Sequence, residues 1–352
     1  MQTPVKAIVF TAPGQVEVSE FTLSPCGPQE IVVRTLYTLV STGTELRILA
    51  GHYGAAENYP LIPGYSVVGE VIEVGQDASG FRVGDLVSGR NPVAIAGVNS
   101  QWGGQASHHL YSTTGEQRPV LLPQGANPLD YVITEIAAIS FRGVEAAAPQ
   151  KGDSAVVIGQ GLIGAFSAAW LVARGCRVAV VDVEERRLEL ALKRGAFAAV
   201  NIRLDDAEAR LKQLLNGGAD IVVESSGTSA GVMLSYGLTR KKPQNYSNEY
   251  TVEPIGFYHG DWPRLVMQAN YLEPVSIDPF NFINGEGVTI LAPKDRGVED
   301  RHKTIEAIRR GEIRASDFID RIAHVSEAPE AYGRLRDDKN SNFSLVFDWT
   351  NA

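Results

Sequence analysis

A glycine-rich turn is the strongest chemical signal in the sequence. The apolar run Ala155–Ile158 leads directly into Gly-x-Gly-x-x-Gly, formed by Gly159, Gly161 and Gly164, and a helical pattern follows over Leu162–Ala173. The first glycine permits a tight turn, the second lets the backbone approach a pyrophosphate, and the third lets the helix pack closely on the strand. In this context the motif predicts a dinucleotide-binding site, and a turn that serves packing alone is the alternative.

The residues after this turn favour NAD as the dinucleotide. Leu162 and Ile163 lie at the N-terminus of the predicted helix, where backbone amides bind phosphate. Asp182 follows the next apolar run, 18 residues after Gly164. A carboxylate about 20 residues beyond the glycines binds the ribose 2′-hydroxyl, and it would repel the extra 2′-phosphate of NADP. Arg187 is a further candidate for cofactor binding and leaves NADP open as an alternative.

Two later segments are also candidates for the cofactor site. Ser225 and Ser226 come soon after the apolar run Ile221–Val223, and Gly256 lies in Ile255-Gly256-Phe257-Tyr258. In doubly wound sheets, ligands bind at the carboxyl ends of the strands. Each segment is either such a contact or an ordinary turn between strand and helix.

The elements that must position these residues change character along the chain. Up to about residue 120, short β-type runs separated by Gly and Pro indicate an all-β, barrel-like domain. From about residue 126, strand-like runs alternate with helical ones, which indicates parallel βαβ units. The β-type runs are Val5–Phe10, Ile31–Tyr37, Val67–Val74 and Leu86-Val87; the alternating runs are Ala155–Ile158, Leu162–Ala173, Arg177–Val181, Glu184–Arg194, Asp206–Leu215 and Ile221–Val223; the closing runs are Lys303–Arg310, Ala328–Asp337 and Phe343–Phe347.

Composition disfavours several classes of protein. The 352 residues carry 41 Asp and Glu against 32 Lys and Arg, and a net charge of −9 disfavours nucleic acid and anionic membranes as partners. No apolar stretch reaches the ~20 residues that cross a bilayer, and the N-terminus lacks the apolar core of a signal peptide. Two widely spaced cysteines, Cys26 and Cys176, make a disulfide framework or a cysteine-rich zinc lobe unexpected. We therefore expect a cytoplasmic protein that acts on a small molecule.

Several motifs, taken in order, resemble those of the medium-chain dehydrogenase/reductase superfamily, which includes the zinc alcohol and polyol dehydrogenases. Ile62–Val71 is similar to the family's Pro-Gly-His-Glu-x-x-Gly-x-Val segment, and Phe81–Val87 is similar to its Gly-Asp-x-Val turn. Gly103-Gly104 resembles its Gly-Gly strand entry, and Gly159–Gly164 resembles its cofactor turn. The resemblance therefore extends along nearly the whole chain.

This resemblance implies an α/β fold with two domains. A Rossmann doubly wound parallel sheet over residues 126–293 would bind NAD, and a GroES-like β-barrel over residues 1–125 and 294–352 would form the catalytic domain. Substrate and nicotinamide would lie in the cleft between them. The resemblance also implies a homodimer in which edge strands pair, and Val288–Leu291 is the segment expected at that edge.

Departures from the family's pattern concern the metal. Zinc members carry Cys-Gly-Thr-Asp where this chain has Thr42-Gly43-Thr44-Glu45, and His-Glu where it has Tyr65-Ser66. Hydroxyl groups and a neutral phenol are poor replacements for the thiolate and imidazole ligands of zinc. The segment between Arg90 and Trp102, where a structural zinc lobe would lie, contains no cysteine. We predict neither a catalytic nor a structural zinc.

A zinc-lacking subgroup shares two of these short motifs. Ser41–Glu45 and Pro63-Gly64-Tyr65 are similar to segments of that subgroup, which includes bacteriochlorophyllide dehydrogenases. Two short motifs do not identify a substrate, so we carry none over. The adjacent His108-His109 cannot easily bind one metal ion, because neighbouring strand residues point to opposite faces.

Three side chains are candidates for the chemistry that zinc would otherwise support. Tyr65 takes the place of a zinc-ligand histidine, so the resemblance implies that its phenol binds the reacting oxygen, and acts as acid or base if its pKa is lowered. Thr44 matches the family's Ser or Thr, so the resemblance implies that it passes the substrate proton outward. Glu135 falls where polyol-type members carry a glutamate near the metal, and desolvation in its apolar run would strengthen it as a general base.

Each of these roles has a structural alternative. Tyr65 could fill the cavity that the metal left, and Thr44 could cap local backbone. Glu135 could be a buried glutamate that pairs with backbone or with an arginine such as Arg142.

Three residues near Thr44 are candidates for substrate binding. Arg47 lies where zinc members often place a relay histidine, and a solvated arginine is its alternative. His52 and Tyr53 lie on a loop that is expected to border the site.

Together these features predict an NAD-dependent, zinc-independent dehydrogenase that oxidises a secondary alcohol of a polyol or sugar-like small molecule by hydride transfer. The first alternative is a reductase of quinones or enoyl groups, which would use NADPH, and Asp182 argues against it. The second is a nucleotide-binding protein that has lost catalysis, which the missing zinc ligands permit.

Overall fold

The computed structural model describes residues 3–204, 207–240, 262–276, 288–294, 297–338 and 343–352. The chain divides into two compact units. The barrel unit comprises residues 1–139 and 295–352, and the Rossmann unit comprises residues 140–294. Within the described ranges, no helix combines the length and the apolar character that crossing a membrane requires.

The first part of the barrel unit is mostly β-structure, with short strands separated by turns. Its elements are β1 (Pro4–Ala12), β2 (Gln15–Thr22), β3 (Glu30–Leu39), α1 (Thr42–Leu49), β4 (Leu61–Ile62), β5 (Val67–Val74), β6 (Leu86–Gly89), β7 (Asn99–Ser100), β8 (His108–Ser112), β9 (Val120–Leu121) and α2 (Thr134–Ala146), whose residues from 140 on belong to the Rossmann unit.

Strands and helices alternate in the Rossmann unit, as the sequence predicts. Its elements are β10 (Ser154–Ile158), α3 (Leu162–Ala173), β11 (Arg177–Asp182), α4 (Glu185–Lys193), β12 (Ala198–Asn201), α5 (Ala207–Leu214), β13 (Ile221–Glu224), α6 (Ser229–Gly237), β14 (Arg264–Met267) and β15 (Thr289–Leu291).

The chain then returns to the barrel unit. The closing elements are α7 (Val298–Arg309), β16 (Arg321–His324), α8 (Ala328–Asp337) and β17 (Leu345–Asp348).

Two sheets form the barrel unit. The smaller has the strand order β2-β1-β4-β7, and the larger has the order β16-β17-β3-β5-β6-β9, with β8 also paired to β3. The segment before β8 joins them, because the Gln105 carbonyl accepts from the amide of Ile8 and the Ser107 carbonyl accepts from the amide of Thr35, both at 2.9 Å. The barrel-like β-domain that the sequence predicts is therefore present.

The Rossmann unit contains a parallel sheet of six described strands. Their order is β12-β11-β10-β13-β14-β15, which along the chain is the 3-2-1-4-5-6 order of a dinucleotide-binding sheet. Strands of such a sheet are covered on both faces, so they are continuous apolar runs, and in β10 residues Ala155–Ile158 are buried. The order places the carboxyl ends of β10, β11 and β13 side by side.

Some elements differ from the sequence-based expectation. α7 begins at Val298 and not at the predicted Lys303. Glu299 and Asp300 stabilise its first turn, because they lie near the positive end of the helix dipole. This turn lacks the apolar stripe by which the sequence predicts a helix. Among the described strands, β15 lies at the end of the six-stranded sheet, where the sequence places Val288–Leu291. Gly256 and Ile255–Tyr258 lie outside the described residues.

Candidate active site

Two of the three glycines of the Gly-x-Gly-x-x-Gly turn, Gly159 and Gly164, are required by the space around them. Gly159 has a φ of +86°, and a Cβ there would lie 2.8 Å from the amide nitrogen of Ser226. A Cβ on Gly164 would lie 1.8 Å from the carbonyl oxygen of Gly159, so only glycine lets α3 pack this closely on the turn. At Gly161, by contrast, a Cβ would meet no atom within 4 Å.

The N-terminus of α3 therefore fits a pyrophosphate. Gly161 immediately precedes α3, whose first residues are Leu162 and Ile163. The first amides of a helix lack intrahelical partners and carry the positive end of the dipole. With no side chain at Gly161, an anionic ligand can approach this backbone directly.

Asp182 lies at the C-terminal end of β11, next to the same turn. Its Oδ2 accepts from the Gln160 amide at 2.5 Å, and its Oδ1 accepts from the amides of Val183 and Glu184 at 2.7 and 2.9 Å. The Nη1 atom of Arg187 is 4.0 Å from Oδ2. The structure thus brings Asp182 and Arg187 to the glycine turn, and Oδ2, which accepts one hydrogen bond, has a lone pair for a further donor.

The C-terminal end of β13 lies against this turn as well. Ser226 approaches Gly159, as noted, and the Cβ of Ser225 would be 3.2 Å from a Cβ on Gly164. Sequence reasoning did not assign Glu224, which is fully buried and accepts from the Ser226 amide at 2.8 Å, from the Gly227 amide at 3.2 Å and from the hydroxyl of Tyr271. The sequence does contain a signal for this residue, since an acidic residue directly follows the apolar run Ile221–Val223.

In the barrel unit, Tyr65 lies between the start of α1 and the start of β5. Its hydroxyl is 2.7 Å from the Ser41 hydroxyl and also hydrogen-bonds Thr44. Its ring packs edge-on against Trp102, with ring centroids 5.4 Å apart. We call Ser41, Thr44, Glu45 and Tyr65 the tyrosine cluster.

Burial raises the pKa of the Tyr65 phenol, although hydrogen bonds from Ser41 and Thr44 oppose this effect. This direction is opposite to the one that a base would need at neutral pH. The resting phenol is therefore neutral, which corrects the expectation that Tyr65 could serve as a base through a lowered pKa.

Glu45 ends the Ser41–Glu45 motif, and the sequence predicts no role for it. It is fully buried; its Oε1 accepts from the Ser41 amide at 2.7 Å, and its Oε2 accepts from Gln105 Nε2 at 3.2 Å and from the hydroxyl of Tyr332. Burial raises the pKa of Glu45 to about 7, against the effect of these hydrogen bonds. The carboxyl fixes the backbone of Ser41 and, through it, the hydroxyl that contacts Tyr65.

Glu135, the second residue of α2, is paired with arginine. Its Oε1 is 3.3 Å from Arg301 Nη1 and 3.3 Å from the Ser88 hydroxyl, and its Oε2 is 3.7 Å from Arg90 Nε. The pairing matches the structural alternative for this residue, but the partners are Arg301 and Arg90 in place of Arg142. We call Glu135, Arg90 and Arg301 the arginine cluster.

The three candidates for substrate binding lie at the end of α1 and just after it. Arg47 Nη1 is 3.3 Å from the Tyr53 hydroxyl, so the structure brings these two side chains together. Tyr53 has a φ of +61° and packs against the core around α1, whereas His52 is exposed.

The donor set at the family's metal position does not fit zinc. The Ser66 hydroxyl donates to the Val132 carbonyl at 2.8 Å, the Tyr65 phenol is neutral, and Glu135 is engaged by two guanidinium groups. In the described part of the chain no three His, Cys, Asp or Glu side chains come together as metal ligands would. His109 is buried and its pKa is lowered to about 3 by burial, so it is a neutral core residue. These residues offer zinc no set of thiolate, imidazole and carboxylate ligands.

Comparisons with known proteins find relatives of both units. Residues 27–118 match the profile of the alcohol dehydrogenase GroES-like domain, and residues 163–243 match that of the zinc-binding dehydrogenase domain. An alcohol dehydrogenase of Cupriavidus necator is 30% identical over 304 residues, which cover 74% of this chain and 82% of that protein. A sorbitol dehydrogenase of Halalkalibacterium halodurans is 28% identical over 261 residues, covering 68% of this chain and 75% of that protein.

Solved structures share the fold. An alcohol dehydrogenase of E. coli complexed with NADH superposes with a TM-score of 0.82 at 17% identity, covering 98% of this chain and 99% of that one. A zinc-binding dehydrogenase of Sinorhizobium meliloti bound to NADP gives a TM-score of 0.79 at 19% identity, covering 99% and 100%. The expected fold class, a Rossmann sheet with a GroES-like barrel, is confirmed.

Proposed function

We propose that this chain is an NAD-dependent dehydrogenase that works without zinc. It belongs to the medium-chain dehydrogenase/reductase superfamily, among the alcohol dehydrogenases of the zinc-binding type. As a member of this family it is an oxidoreductase that acts on CH–OH groups. We propose a secondary alcohol of a polyol or sugar-like molecule as its substrate. The observation that supports the proposal is the tyrosine cluster, in which Tyr65 hydrogen-bonds Ser41 and Thr44 at the positions where the motif resemblance leads us to expect metal ligands.

The Rossmann unit supplies the residues that would hold the cofactor. Gly159, Gly161 and Gly164 would admit the pyrophosphate to the N-terminus of α3, and the Asp182 carboxylate would accept hydrogen bonds from the adenosine ribose. Bound NAD would accept hydride from the carbinol carbon of the substrate. A carboxylate at this position disfavours a 2′-phosphate, so we propose NAD over NADP.

Tyr65 would hold the reacting oxygen. A neutral phenol can accept a hydrogen bond from the substrate hydroxyl while it donates its own proton to Ser41 or Thr44. The substrate proton would then leave along these hydroxyls as the carbon loses hydride. In the direction of carbonyl reduction the same phenol would donate its proton to the carbonyl oxygen.

The polyol part of the proposal has separate support. The sorbitol dehydrogenase similarity covers 75% of that relative. Arg47 and Tyr53, joined at 3.3 Å, offer further polar groups that can bind hydroxyls. We propose that these two side chains and His52 contact the substrate beyond its reacting carbon. A homodimer through β15 also remains a proposal.

The test is an activity screen combined with metal analysis. We expect NADH formation with at least one polyol or sugar, zinc below about a tenth of an equivalent, and full activity after treatment with a chelator. Tyr65→Phe should lower kcat by ~100-fold or more, because it removes the group on the reacting oxygen.

Two results would overturn the proposal. Activity that disappears with a chelator and returns with Zn²⁺ would reject the zinc-free mechanism. Turnover of quinones or enoyl substrates with NADPH, and of no alcohol, would favour the reductase alternative.

A further inference from the structure

Glu224 is a fully buried acid at the ligand-binding edge of the Rossmann sheet. It ends β13, and its carboxylate accepts from the Ser226 amide at 2.8 Å, from the Gly227 amide at 3.2 Å and from the hydroxyl groups of Ser226 and Tyr271. Ser226 and Gly227 follow β13, whereas Tyr271 follows β14. The carboxylate therefore joins the segments that leave two neighbouring strands, and its many donors hold it in one orientation.

The main chain of Glu224 makes the same connection. Its carbonyl accepts from the amides of Gln268 and Ala269, which directly follow β14, at 2.9 and 3.1 Å. At Gly231, in the first turn of α6, a Cβ would lie 2.6 Å from Glu224 Oε1, so glycine leaves room for the carboxylate here. The Gly231 amide donates to the side chain of Thr228, which caps α6, at 3.0 Å. The short connection between β13 and α6 is thus fixed at both ends.

This connection begins with Ser225, Ser226 and Gly227, which we call the β13 loop, and the loop lies directly against the glycine turn. The Ser225 amide donates to the carbonyl of Ile158, the last residue of β10, at 2.8 Å. A Cβ on Gly159 would lie 2.8 Å from the Ser226 amide nitrogen and 2.9 Å from its Cα, so backbone meets backbone here. On the other side of the turn, Asp182 accepts from one of the turn's amides at 2.5 Å. Two carboxylates, at the ends of β11 and β13, therefore hold the segments on either side of β10.

We propose that Glu224 is a positioning residue for the cofactor. It fixes the β13 loop and, through this loop, holds the glycine turn in the shape that receives the pyrophosphate. The inference rests on the proposed binding of NAD at this turn. The carboxylate acts through the loop, because its oxygens face the loop amides and Tyr271. A turn that is already ordered before the ligand arrives binds more tightly, since less conformational freedom is lost on binding.

The charge of Glu224 by itself would act in the opposite direction. A carboxylate near a bound pyrophosphate repels it, so removal of the charge alone should strengthen cofactor binding. Positioning predicts the reverse, because loss of the carboxylate releases the β13 loop and weakens binding. The sign of the change in affinity therefore distinguishes the two roles.

The experiment compares three variants in calorimetric titrations of the full-length protein with NADH and with ADP-ribose. Glu224→Met is similar in size and removes the carboxylate acceptors, so Kd for both ligands should rise by ~10-fold or more. Glu224→Gln keeps one carbonyl oxygen for the loop amides and should stay within ~3-fold of the parent protein. Glu224→Asp keeps the charge but shortens the side chain by one methylene, and it should weaken binding by ~3- to 10-fold. Both ligands contain the pyrophosphate, so we expect equal effects on the two.

Glu208→Met is the matched control. It removes a carboxylate of the same unit that is 48% exposed and pairs with Lys212 at 2.6 Å, and it should leave both Kd values unchanged. Titrations are run well below the melting temperature of each variant, so that lower stability alone does not change Kd. In turnover, Glu224→Met should raise KM for NAD by ~10-fold and change kcat by less than ~3-fold, because the turn holds the cofactor equally in the ground state and the transition state.

The outcomes separate this inference from the proposed function. If the parent protein binds no nicotinamide cofactor, both fail. If the parent binds NADH and Glu224→Met binds it equally or more tightly, the inference is wrong and NAD binding stands. A loss for NADH with unchanged affinity for ADP-ribose would place the effect at the nicotinamide end and also contradict the inference. Should Glu224→Met not fold, Glu224→Asp decides, because unchanged binding by this variant shows that the reach of the carboxylate to the loop does not matter.

Discussion

The glycine turn of the Rossmann unit and the tyrosine cluster of the barrel unit differ in how the chain builds them. The turn and its carboxylate lie between Gly159 and Asp182, and backbone groups supply most of the binding capacity. The tyrosine and arginine clusters bring together side chains from Ser41 to Arg301. A site built from contiguous backbone depends on open space at its glycines and on the direction of its helix amides. A site built from distant side chains depends on buried polar and charged groups that each need a partner.

This difference predicts different failures. Damage to the turn should weaken cofactor binding, and it should reduce stability only where two backbone segments touch. Damage to the dispersed clusters should first reduce stability, because every partner left behind is a buried polar group.

The largest effect is expected from Glu135→Gln. The change leaves the buried Arg301 without its carboxylate, and breaking a buried pair in this way typically costs about 3–5 kcal/mol. Denaturant unfolding followed by tryptophan fluorescence measures the loss.

The matched control is Lys303→Gln on α7. Lys303 pairs with Glu299 at 2.8 Å, but its side chain is 51% exposed, so the change should alter the free energy of unfolding by no more than ~0.5 kcal/mol. Equal effects of the two variants would show that burial of the arginine cluster does not matter and would remove the contrast between the regions.

The same contrast decides what the sequence could predict. α3 begins and ends at the predicted residues, Leu162 and Ala173, and β10 and β11 each differ by one residue. These elements are continuous apolar runs that a covered parallel sheet requires. β2 was not predicted, because most of its side chains are at least partly exposed and its residues carry no clear apolar alternation.

The dispersed site could be predicted only as separate residues. Tyr65, Thr44 and Glu135 were identified by their places in family motifs, but the partner of Glu135 is 166 residues away in Arg301. No spacing rule connects residues so distant. Arg301 also lies in a helical turn without apolar periodicity, so its complete burial has no signal in the sequence.

A second prediction concerns pH and the tyrosine cluster. Burial raises the pKa of Glu45 from 4.5 to about 7 in the folded protein, so between these two pH values the folded state holds a proton that the unfolded state has lost. Binding of this proton stabilises the folded state by up to about 3 kcal/mol. The stabilisation is complete below pH 4.5 and is lost as pH rises through 7.

Glu45→Gln should remove this dependence. We expect the free energy of unfolding of the parent protein, relative to the variant, to fall between pH 5 and pH 8. The exposed Glu73→Gln serves as the control and should follow the parent protein at every pH. A difference between parent and Glu45→Gln that is constant over this range would contradict the assignment.

A third prediction separates two glycines of one turn. Gly164→Ala places a Cβ 1.8 Å from the Gly159 carbonyl, so the backbone must shift, at a cost of about 2–3 kcal/mol. Gly161→Ala meets no atom within 4 Å and should leave the melting temperature unchanged. It should nevertheless weaken NADH binding by ~10-fold or more, because the methyl group stands where the pyrophosphate approaches the backbone. Calorimetric titration and thermal melts of both variants test this, and a stable Gly164→Ala protein would disprove the close contact.

The smallest effect, about 1.4 kcal/mol, is expected at Asp182, where the turn does depend on a charged side chain. Asp182→Asn removes the negative charge that would repel a 2′-phosphate, so the preference for NADH over NADPH should narrow by ~10-fold or more in calorimetric titration.

Glu189→Gln, an exposed change on α4, also removes one negative charge and should leave the preference for NADH over NADPH as it was. If both variants change the preference equally, general charge and not the position of Asp182 selects the cofactor. If the parent protein already prefers NADPH, the Arg187 guanidinium, 4.0 Å from the Asp182 carboxylate, is the dominant charge, and Arg187→Gln should then weaken NADPH binding most.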